Sequence, residues 1–286
     1  MAARGKIGNR TGVVGILGHP VGHSLSPRMH NAAFSAQGVD MVYLAFDVPP
    51  ERLSEAVMGL RALSFRGANV TIPHKETIAG LLDEVEATAR RIGSVNTVVN
   101  EQGRLLGYNT DKGGFAAALH GIRPGGAAGL TCYVAGAGGA ARAVVAALME
   151  EGAGEILVYN RTFERAAALC VQAASWGNTP CIPVAEEDAA AGAAAADLLV
   201  NATSVGLTSS VKESAIPVDI LHSQHTVVDL VYGPSPTALV REAKARGASA
   251  IDGKEMLVMQ AAGSYELWTG RRAPIDVMRR SIDEER

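Results

Sequence analysis

Three polar side chains alternate out of one short stretch, GANVTIPHKE at 67–76, which reads as the end of a strand: Asn69, Thr71 and Lys75. An amide, a hydroxyl and an ammonium aimed from one strand mouth suit a polar substrate, and the ammonium adds a group able to give and take a proton. Pro73 is placed to open a helix, where its missing N–H is no loss, and Lys75 then stands at that helix's N-terminus. The positive end of the helix dipole, together with partial burial, disfavours the ammonium form and moves Lys75 toward the range useful for proton transfer. A plainer arrangement fits the same residues, with Thr71 capping the helix, Asn69 ending the strand and Lys75 solvated. A second cluster, GYNTDKGG at 107–114, supplies a carboxylate, Asp111, at another strand-to-helix junction. Alone, Asp111 reads as an N-cap; beside Lys75 it completes a catalytic pair.

A third cluster addresses a nucleotide. The turn VAGAGGAAR at 134–142 follows a strand pattern and opens a helix pattern, with Gly136, Gly138 and Ala141 at the positions of G-x-G-x-x-A, and Ala137, Gly139 and Ala140 completing the loop. Gly136 permits the tight turn, Gly138 lets a pyrophosphate approach the backbone, and the helix N-terminus attracts its charge. The next strand ends in Asn160, Arg161 and Thr162, with Arg165 one turn further on, where an Asp or Glu would grip a ribose 2′-hydroxyl. An Arg presents a fork of donors that matches phosphate, so NADP is favoured over NAD, although Glu164 stands between the two arginines.

Two α/β frames are needed to position these clusters. Strand-like and helix-like segments alternate from VVGILG (13–18) through a helix opened at Ser26–Pro27, MVYLAFDV (41–48), a helix from Pro50 to about Ser64, GANVT with its following helix, and a hairpin over 94–109 to a helix at Asp111. GIRPGGAAGL (121–130), dense in Gly and Pro, reads as a linker. The alternation then restarts with TCYVAG (131–136), a helix to Gly152, EILVYN (155–160), a helix to about Ala174, and strands near 180–184, 197–201 and 226–231. The Ala-rich stretch 189–196 reads as a surface helix, and the tail from 253 is helical in period. The expectation is an α/β protein of two domains: residues 1–120 with 253–286 as an N-terminal α/β substrate domain, and residues 121–252 as a Rossmann-type NADP-binding domain, with the C-terminal helices packing back on the first.

The bulk properties agree with a small-molecule enzyme. At 286 residues the chain exceeds the usual single core, and its 26 Lys and Arg balance 29 Asp and Glu without a basic stripe, which argues against a nucleic-acid partner. Cys132, Cys170 and Cys181 are odd in number and widely spaced, as in a reducing cytosol, and the seven His form no metal-binding motif. Five apolar residues after Arg4, Lys6 and Arg10 are too few for a signal-peptide core, and no run reaches membrane-spanning length. A cytoplasmic monomer or homodimer without metal is expected.

These motifs together resemble the shikimate dehydrogenases, over nearly the whole chain. GHPVGHSLSPRMHN (18–31) is similar to the family's substrate-binding turn, GANVTIPHKE to its lysine motif, SVNT (94–97) and GYNTD to its asparagine and aspartate motifs, and GAGGAAR with NRT to its NADP motifs; NATS (201–204) and MQAAGSYELW (259–268) agree as well. The resemblance implies NADPH-dependent reduction of 3-dehydroshikimate to shikimate, in the route to chorismate and the aromatic amino acids, in a cleft between domains. It implies that Ser24 and Ser26 bind the substrate carboxylate while Asn69, Thr71, Lys75, Asn96, Asp111 and Gln260 surround the ring hydroxyls. It further places Tyr232, Gly253 and Met256 beside the nicotinamide, with Tyr232 also toward the substrate, and Asn201, Thr203 and Ser204 on the cofactor side. Lys112 stands where the family commonly has Gly, and Leu207 where it often has Met. A quinate/shikimate dehydrogenase of catabolic direction is the nearest rival. A non-catalytic NADP or metabolite sensor has no need of the Lys75/Asp111 pair, and a folate-interconverting dehydrogenase has no need of the Ser24/Ser26 turn.

Overall fold

The apolar runs VVGIL and MVYLAF, rich in β-branched and aromatic side chains, form parallel strands β1 (Gly12–Gly18) and β2 (Met41–Asp47) on either side of helix α1 (Ser26–Gln37) in the chain. The computed structural model describes residues 7–206, 214–233 and 235–283, and divides into two units, Met1–Gly114 with Leu257–Arg286, and Phe115–Met256. The first unit continues with α2 (Leu53–Ala62), β3 (Gly67–Val70), β4 (Glu84–Val85), α3 (Ala87–Ile92), β5 (Thr97–Glu101), β6 (Arg104–Tyr108) and the start of α4 (Asp111–Ile122). Its sheet runs β2-β1-β3-β5-β6-β4, parallel among β1, β2 and β3 and antiparallel from β3 to β5 to β6. The β5/β6 hairpin turns on Gln102 and Gly103, both at positive φ (55° and 95°), as a two-residue loop of this hand requires.

One expected element is absent. Residues 71–77 form a run of turns rather than the helix that Pro73 was read as opening, followed by a single 3-10 turn at Ile78–Leu81. An α-helix there would need the Lys75 carbonyl to accept from the residue four positions on. That carbonyl instead accepts the Val95 N–H at 2.8 Å, which holds Lys75 against the segment that carries Asn96 into β5. Inward anchors finish the arrangement: His74 is buried with its ring 2.7 Å from the Val48 carbonyl, and Ile78 is buried behind it.

The second unit contains β7 (Thr131–Ala135), α5 (Gly139–Glu150), β8 (Glu155–Tyr159), α6 (Phe163–Ala173), β9 (Cys181–Val184), α7 (Ala189–Ala195), β10 (Leu198–Asn201), β11 (Thr226–Asp229), α8 (Ala238–Ala245) and β12 (Ser249–Ile251). All six strands are parallel, in the order β12-β11-β10-β7-β8-β9, the doubly wound arrangement whose direction of winding reverses between β7 and β10. The Gly/Pro-rich stretch 121–130 is a packed turn of this unit, not an open linker: Ala127 is fully buried and the Gly129 N–H bonds the Gly152 carbonyl at 2.9 Å. Helix α7 is only half a surface helix, since Ala189 and Ala193 are buried.

The chain then returns through α9 (Lys254–Thr269) and α10 (Ile275–Asp283), which close the first unit's core: Val14, Met29, Phe34 and Tyr43 pack with Val258, Ala261, Tyr265 and Met278. Trp268 donates its indole N–H to the Val98 carbonyl at 2.9 Å over Gly67, where a Cβ would lie 2.2 Å from that same oxygen. No helix among the described residues is long and apolar enough to cross a membrane.

His30, on α1, is 0% exposed, stacks on Tyr43 at 4.4 Å, and has no hydrogen-bond partner on either ring nitrogen among the described residues. Burial pushes its pKa down to about 3 from the ordinary 6.5. Between those values the unfolded chain holds a proton that the folded chain refuses, so stability falls as pH drops below 6.5 and continues to fall toward 3. The cost is roughly 1.4 kcal/mol per pH unit in that window. His30→Phe keeps the stack and removes the proton site, so denaturant unfolding at pH 7 and pH 5 is expected to show a loss smaller by about 2 kcal/mol in the variant than in the wild type.

Candidate active site

Lys75 donates from Nζ to Asp111 Oδ2 at 2.6 Å, with side chains 15% and 5% exposed. Asp111 opens α4, and its second oxygen, Oδ1, accepts from Asn96 Nδ2 at 2.8 Å. Asn96 is fixed from its other end, where Oδ1 accepts the Thr110 N–H at 2.8 Å and the Thr97 hydroxyl at 3.1 Å. The carboxylate therefore has one face held by an amide and the other by the ammonium, in an environment where removing either charge strands the other.

Behind this pair lies a buried layer that carries no charge. The sequence reading put Asn69 among the groups around a substrate ring. In the structure it is 4% exposed and both ends of its amide are taken by protein: Oδ1 accepts from Tyr43 Oη at 2.8 Å, and Nδ2 donates to Ser264 Oγ at 2.8 Å and toward the Asn96 carbonyl and Thr97 Oγ1, both at 3.1 Å. Ser264 lies 2.8 Å from Thr97 Oγ1 and donates to the Gln260 carbonyl one helical turn earlier. Gln260 points its amide oxygen toward Asn96 at 3.3 Å and donates Nε2 to the Leu257 carbonyl at 2.8 Å. Tyr43, Thr97, Thr110 and Ser264 were not picked out from the sequence. Only Ser264 carried a readable signal, its i+4 spacing from Gln260 on one helix face.

Thr71 is half-buried at the end of β3, with its N–H on the Leu17 carbonyl at 2.9 Å, and Gly18 lets the neighbouring turn come close: a Cβ there would lie 2.3 Å from Thr71 Cγ2. In that turn Ser24 Oγ accepts the Ser26 N–H at 3.3 Å. Ser26 is the first residue of α1, and the N-cap is Leu25, without a side-chain cap.

In the second unit the Gly-rich turn sits at the β7/β10 reversal. Gly136 has φ 116° and a Cβ on it would lie 2.9 Å from the Ala202 carbonyl oxygen, so the turn after β7 and the turn after β10 are in backbone contact. Ala137 is buried, and Gly138, in extended conformation, is the N-cap of α5 with no side-chain cap, which leaves the first N–H groups of Gly139, Ala140 and Ala141 for a pyrophosphate. Asn160 turns its amide back onto the Thr162 carbonyl at 2.9 Å, while Arg161 and Arg165 are exposed at the start of α6. This cradle and its arginines fit an NADP molecule in shape and charge. Asn201 is buried and organises the next loop, accepting the Thr203 N–H at 3.0 Å and donating to Asp229 Oδ1 at 2.8 Å, with Ser204 exposed beyond it. Burial raises the Asp229 carboxyl pKa, against hydrogen bonds from Thr237, Val231 and Asn201. Gly253 is pressed on the Leu230 backbone, where a Cβ would meet the carbonyl oxygen at 2.2 Å; Met256 is buried, and Tyr232 is half-buried with its phenol pKa raised by burial. Leu207 lies outside the described residues. Among the described residues no group of His, Cys, Asp and Glu could hold a metal ion.

An acid/base pair inside a polar hydrogen-bonded unit, joined in one chain to a doubly wound nucleotide-binding sheet, defines a dinucleotide-dependent dehydrogenase. Residues 16–98 match the shikimate dehydrogenase substrate binding domain, residues 123–231 the shikimate / quinate 5-dehydrogenase family, and residues 253–282 the shikimate 5′-dehydrogenase C-terminal domain. A shikimate dehydrogenase (NADP(+)) of Moorella thermoacetica is 49% identical over 278 residues, covering 96% of this chain and 93% of its own. The crystal structure of the Thermus thermophilus shikimate 5-dehydrogenase in complex with NADP(H) and shikimate aligns with a TM-score of 0.83 at 42% identity, covering 94% of this chain and 98% of that one. A quinate dehydrogenase from Corynebacterium glutamicum in complex with NAD aligns at 0.87 with 32% identity, covering 95% and 98%. The chain belongs to the shikimate dehydrogenase family.

Asn96 joins the Asp111 carboxylate to the Thr110 backbone, so Asn96→Leu leaves a buried acceptor and a buried donor unpaired, at about 1–3 kcal/mol each. With Asp111 released from one side, kcat is expected to fall about a hundredfold, the scale of a small misplacement of a reacting group. The NADP KM is expected to stay within a factor of about two. Steady-state kinetics with thermal unfolding of the variant as a fold control check this.

Proposed function

We propose that the chain catalyses the reversible NADPH-dependent reduction of 3-dehydroshikimate to shikimate, with Lys75 as the proton-transfer group and Asp111 as its partner. The observation that carries the roles is the 2.6 Å Lys75–Asp111 contact between largely buried side chains. NADPH, when bound, supplies the hydride. Lys75 gives the proton to the developing alkoxide and takes it back in the oxidative direction, while Asp111, held by Asn96, keeps the Lys75 ammonium in one place and accepts a hydrogen bond from the reacting hydroxyl. Ser24 and Ser26 take the substrate carboxylate. Asn69, Thr71, Asn96, Gln260 and Tyr232 address the ring and its hydroxyls, with Asn69 also holding Asn96 and Thr97 in register.

In this reading the first unit binds the substrate and the second binds NADP. Gly136, Ala137, Gly138, Gly139 and Ala140 cradle the pyrophosphate, Asn160, Arg161, Thr162 and Arg165 take the adenosine end, and Asn201, Thr203, Ser204, Tyr232, Gly253 and Met256 form the nicotinamide side. Three free thiols suit the cytoplasm, where the aromatic biosynthetic route would use the product.

Lys75→Ala is expected to lower kcat by about a hundredfold to ten-thousandfold and to leave NADP affinity, measured by titration calorimetry, nearly unchanged. Retention of more than about a tenth of wild-type kcat takes Lys75 out of the mechanism.

Oxidation of shikimate and quinate, each with NADP and NAD, tests substrate and cofactor together. Quinate carries an extra hydroxyl that must be desolvated, at about 1–3 kcal/mol, so shikimate is expected to have the higher kcat/KM by roughly fivefold or more. Replacing Arg161 and Arg165 by Ala is expected to raise KM for NADP by about tenfold or more and to move KM for NAD little, since charge-assisted bonds to phosphate are worth roughly 1.5–3 kcal/mol each. Equal or better use of quinate assigns the chain to the rival activity, and equal losses for both cofactors show that the arginines hold adenosine without reading its phosphate.

A further inference from the structure

Two of the three cysteines meet, and the reaction uses neither. Cys170 lies on the buried face of α6 with Ala166, Leu169 and Ala173, and Cys181 opens β9, the edge strand of the second sheet. Their sulfurs are 3.2 Å apart, with the Cys181 S–H donating to Cys170. Cys170 is 5% exposed, whereas Cys181 is half-buried and gives the pair an opening to solvent. A disulfide needs the sulfurs at about 2.05 Å, so little more than an ångström of approach separates this contact from a bond, and that distance lies between a helix and a strand already packed together. The third thiol is a built-in contrast. Cys132 lies inside β7, fully buried, and burial pushes its pKa up to about 12, so it has almost no thiolate with which to react.

We propose that Cys170 and Cys181 are a peroxide-oxidisable dithiol that closes to an intramolecular disulfide between α6 and β9. The hydrogen bond from Cys181 holds the Cys170 thiol below its usual range and makes it the attacking sulfur. Its thiolate attacks one oxygen of hydrogen peroxide, the O–O bond breaks, and the departing hydroxide takes up a proton to leave as water, with Cys170 as sulfenic acid. The Cys181 sulfur then attacks the Cys170 sulfur, the S–O bond breaks, and a second water leaves with the Cys181 proton. The two thiols lose two electrons and two protons, and one peroxide becomes two waters. A dithiol reductant reverses the bond by exchange. The hydrogen bond to Cys170 and burial push the Cys181 thiol up, so its attack rests on proximity; held 3.2 Å away, it resolves the sulfenic acid and shields the pair from the irreversible higher oxides.

The full-length protein, treated with one equivalent of hydrogen peroxide and then unfolded, is expected to titrate one thiol with a thiol-reactive dye where the reduced protein titrates three. The intact mass drops by two hydrogen atoms, and a proteolytic map recovers the Cys170 and Cys181 peptides joined. Thermal unfolding of the oxidised monomer moves upward, because the bond closes a loop in the unfolded chain, and returns on treatment with dithiothreitol. In Cys181→Ser no link forms and Cys170 is captured as a sulfenic acid by dimedone. Loss of Cys132 at the same rate as the other two, links between chains, or sulfinic acid at either residue without a link overturns the proposal.

Discussion

The hydrogen-bonded ion pair between Lys75 and Asp111 sets the terms for the rest of the first unit. Two opposite charges almost out of water attract strongly, but each has also lost its hydration, so the pair persists only where further donors and acceptors complete it. That requirement explains why the residues around it are amides and hydroxyls rather than aliphatics. Asn96 completes the carboxylate, Thr110 completes Asn96, and Asn69, Thr97 and Ser264 fix the backbone from which these groups project. The arrangement also explains the missing helix after β3. A helical Lys75 could not have offered its carbonyl to Val95, and that bond places the ammonium beside the segment bearing Asn96.

The second unit solves the opposite problem, with close backbone approach in place of side-chain bonding. At Gly136 and Gly253 a single added carbon would strike a carbonyl oxygen, and both positions lie just past the ends of parallel strands. The polar residues at the same ends, Asn201 and Asp229, are turned on one another and on neighbouring N–H groups, so that the loops keep their shape without a side chain blocking the cradle.

The alternation of strand and helix, the parallel second sheet and the Gly136 turn were legible because each leaves a local imprint: short apolar runs, and glycines where φ must be positive. The Lys75/Asp111 pair was legible as two motifs, although nothing in the spacing shows that they touch. What stayed hidden has non-local causes. The short strands β4 and β12 hold too few residues to show a period and exist through their neighbours' pairing. The failure of Pro73 to start a helix was decided by a partner at Val95, well beyond it in the chain, and the inward turn of Asn69 by Tyr43 and Ser264 from distant segments. Cys170 and Cys181 likewise seemed unrelated until the packing of α6 on β9 brought them together.

The first unit is interrupted in the chain, and that bears on how the protein is born. A ribosome delivers β1, α1 and β2 early, but the residues that cover their apolar face, Val258, Ala261, Tyr265 and Met278, emerge only after the whole of the second unit. The second unit is contiguous from Phe115 to Met256 and can complete its sheet as it leaves the exit tunnel. During that interval Val14, Met29 and Phe34 wait with an open flank, a surface of the kind that invites association with other nascent chains. The α9–α10 segment thus acts as a closing latch in time as well as in space, and a ribosome that stalls shortly before it releases a chain with one finished half and one that cannot seal its core.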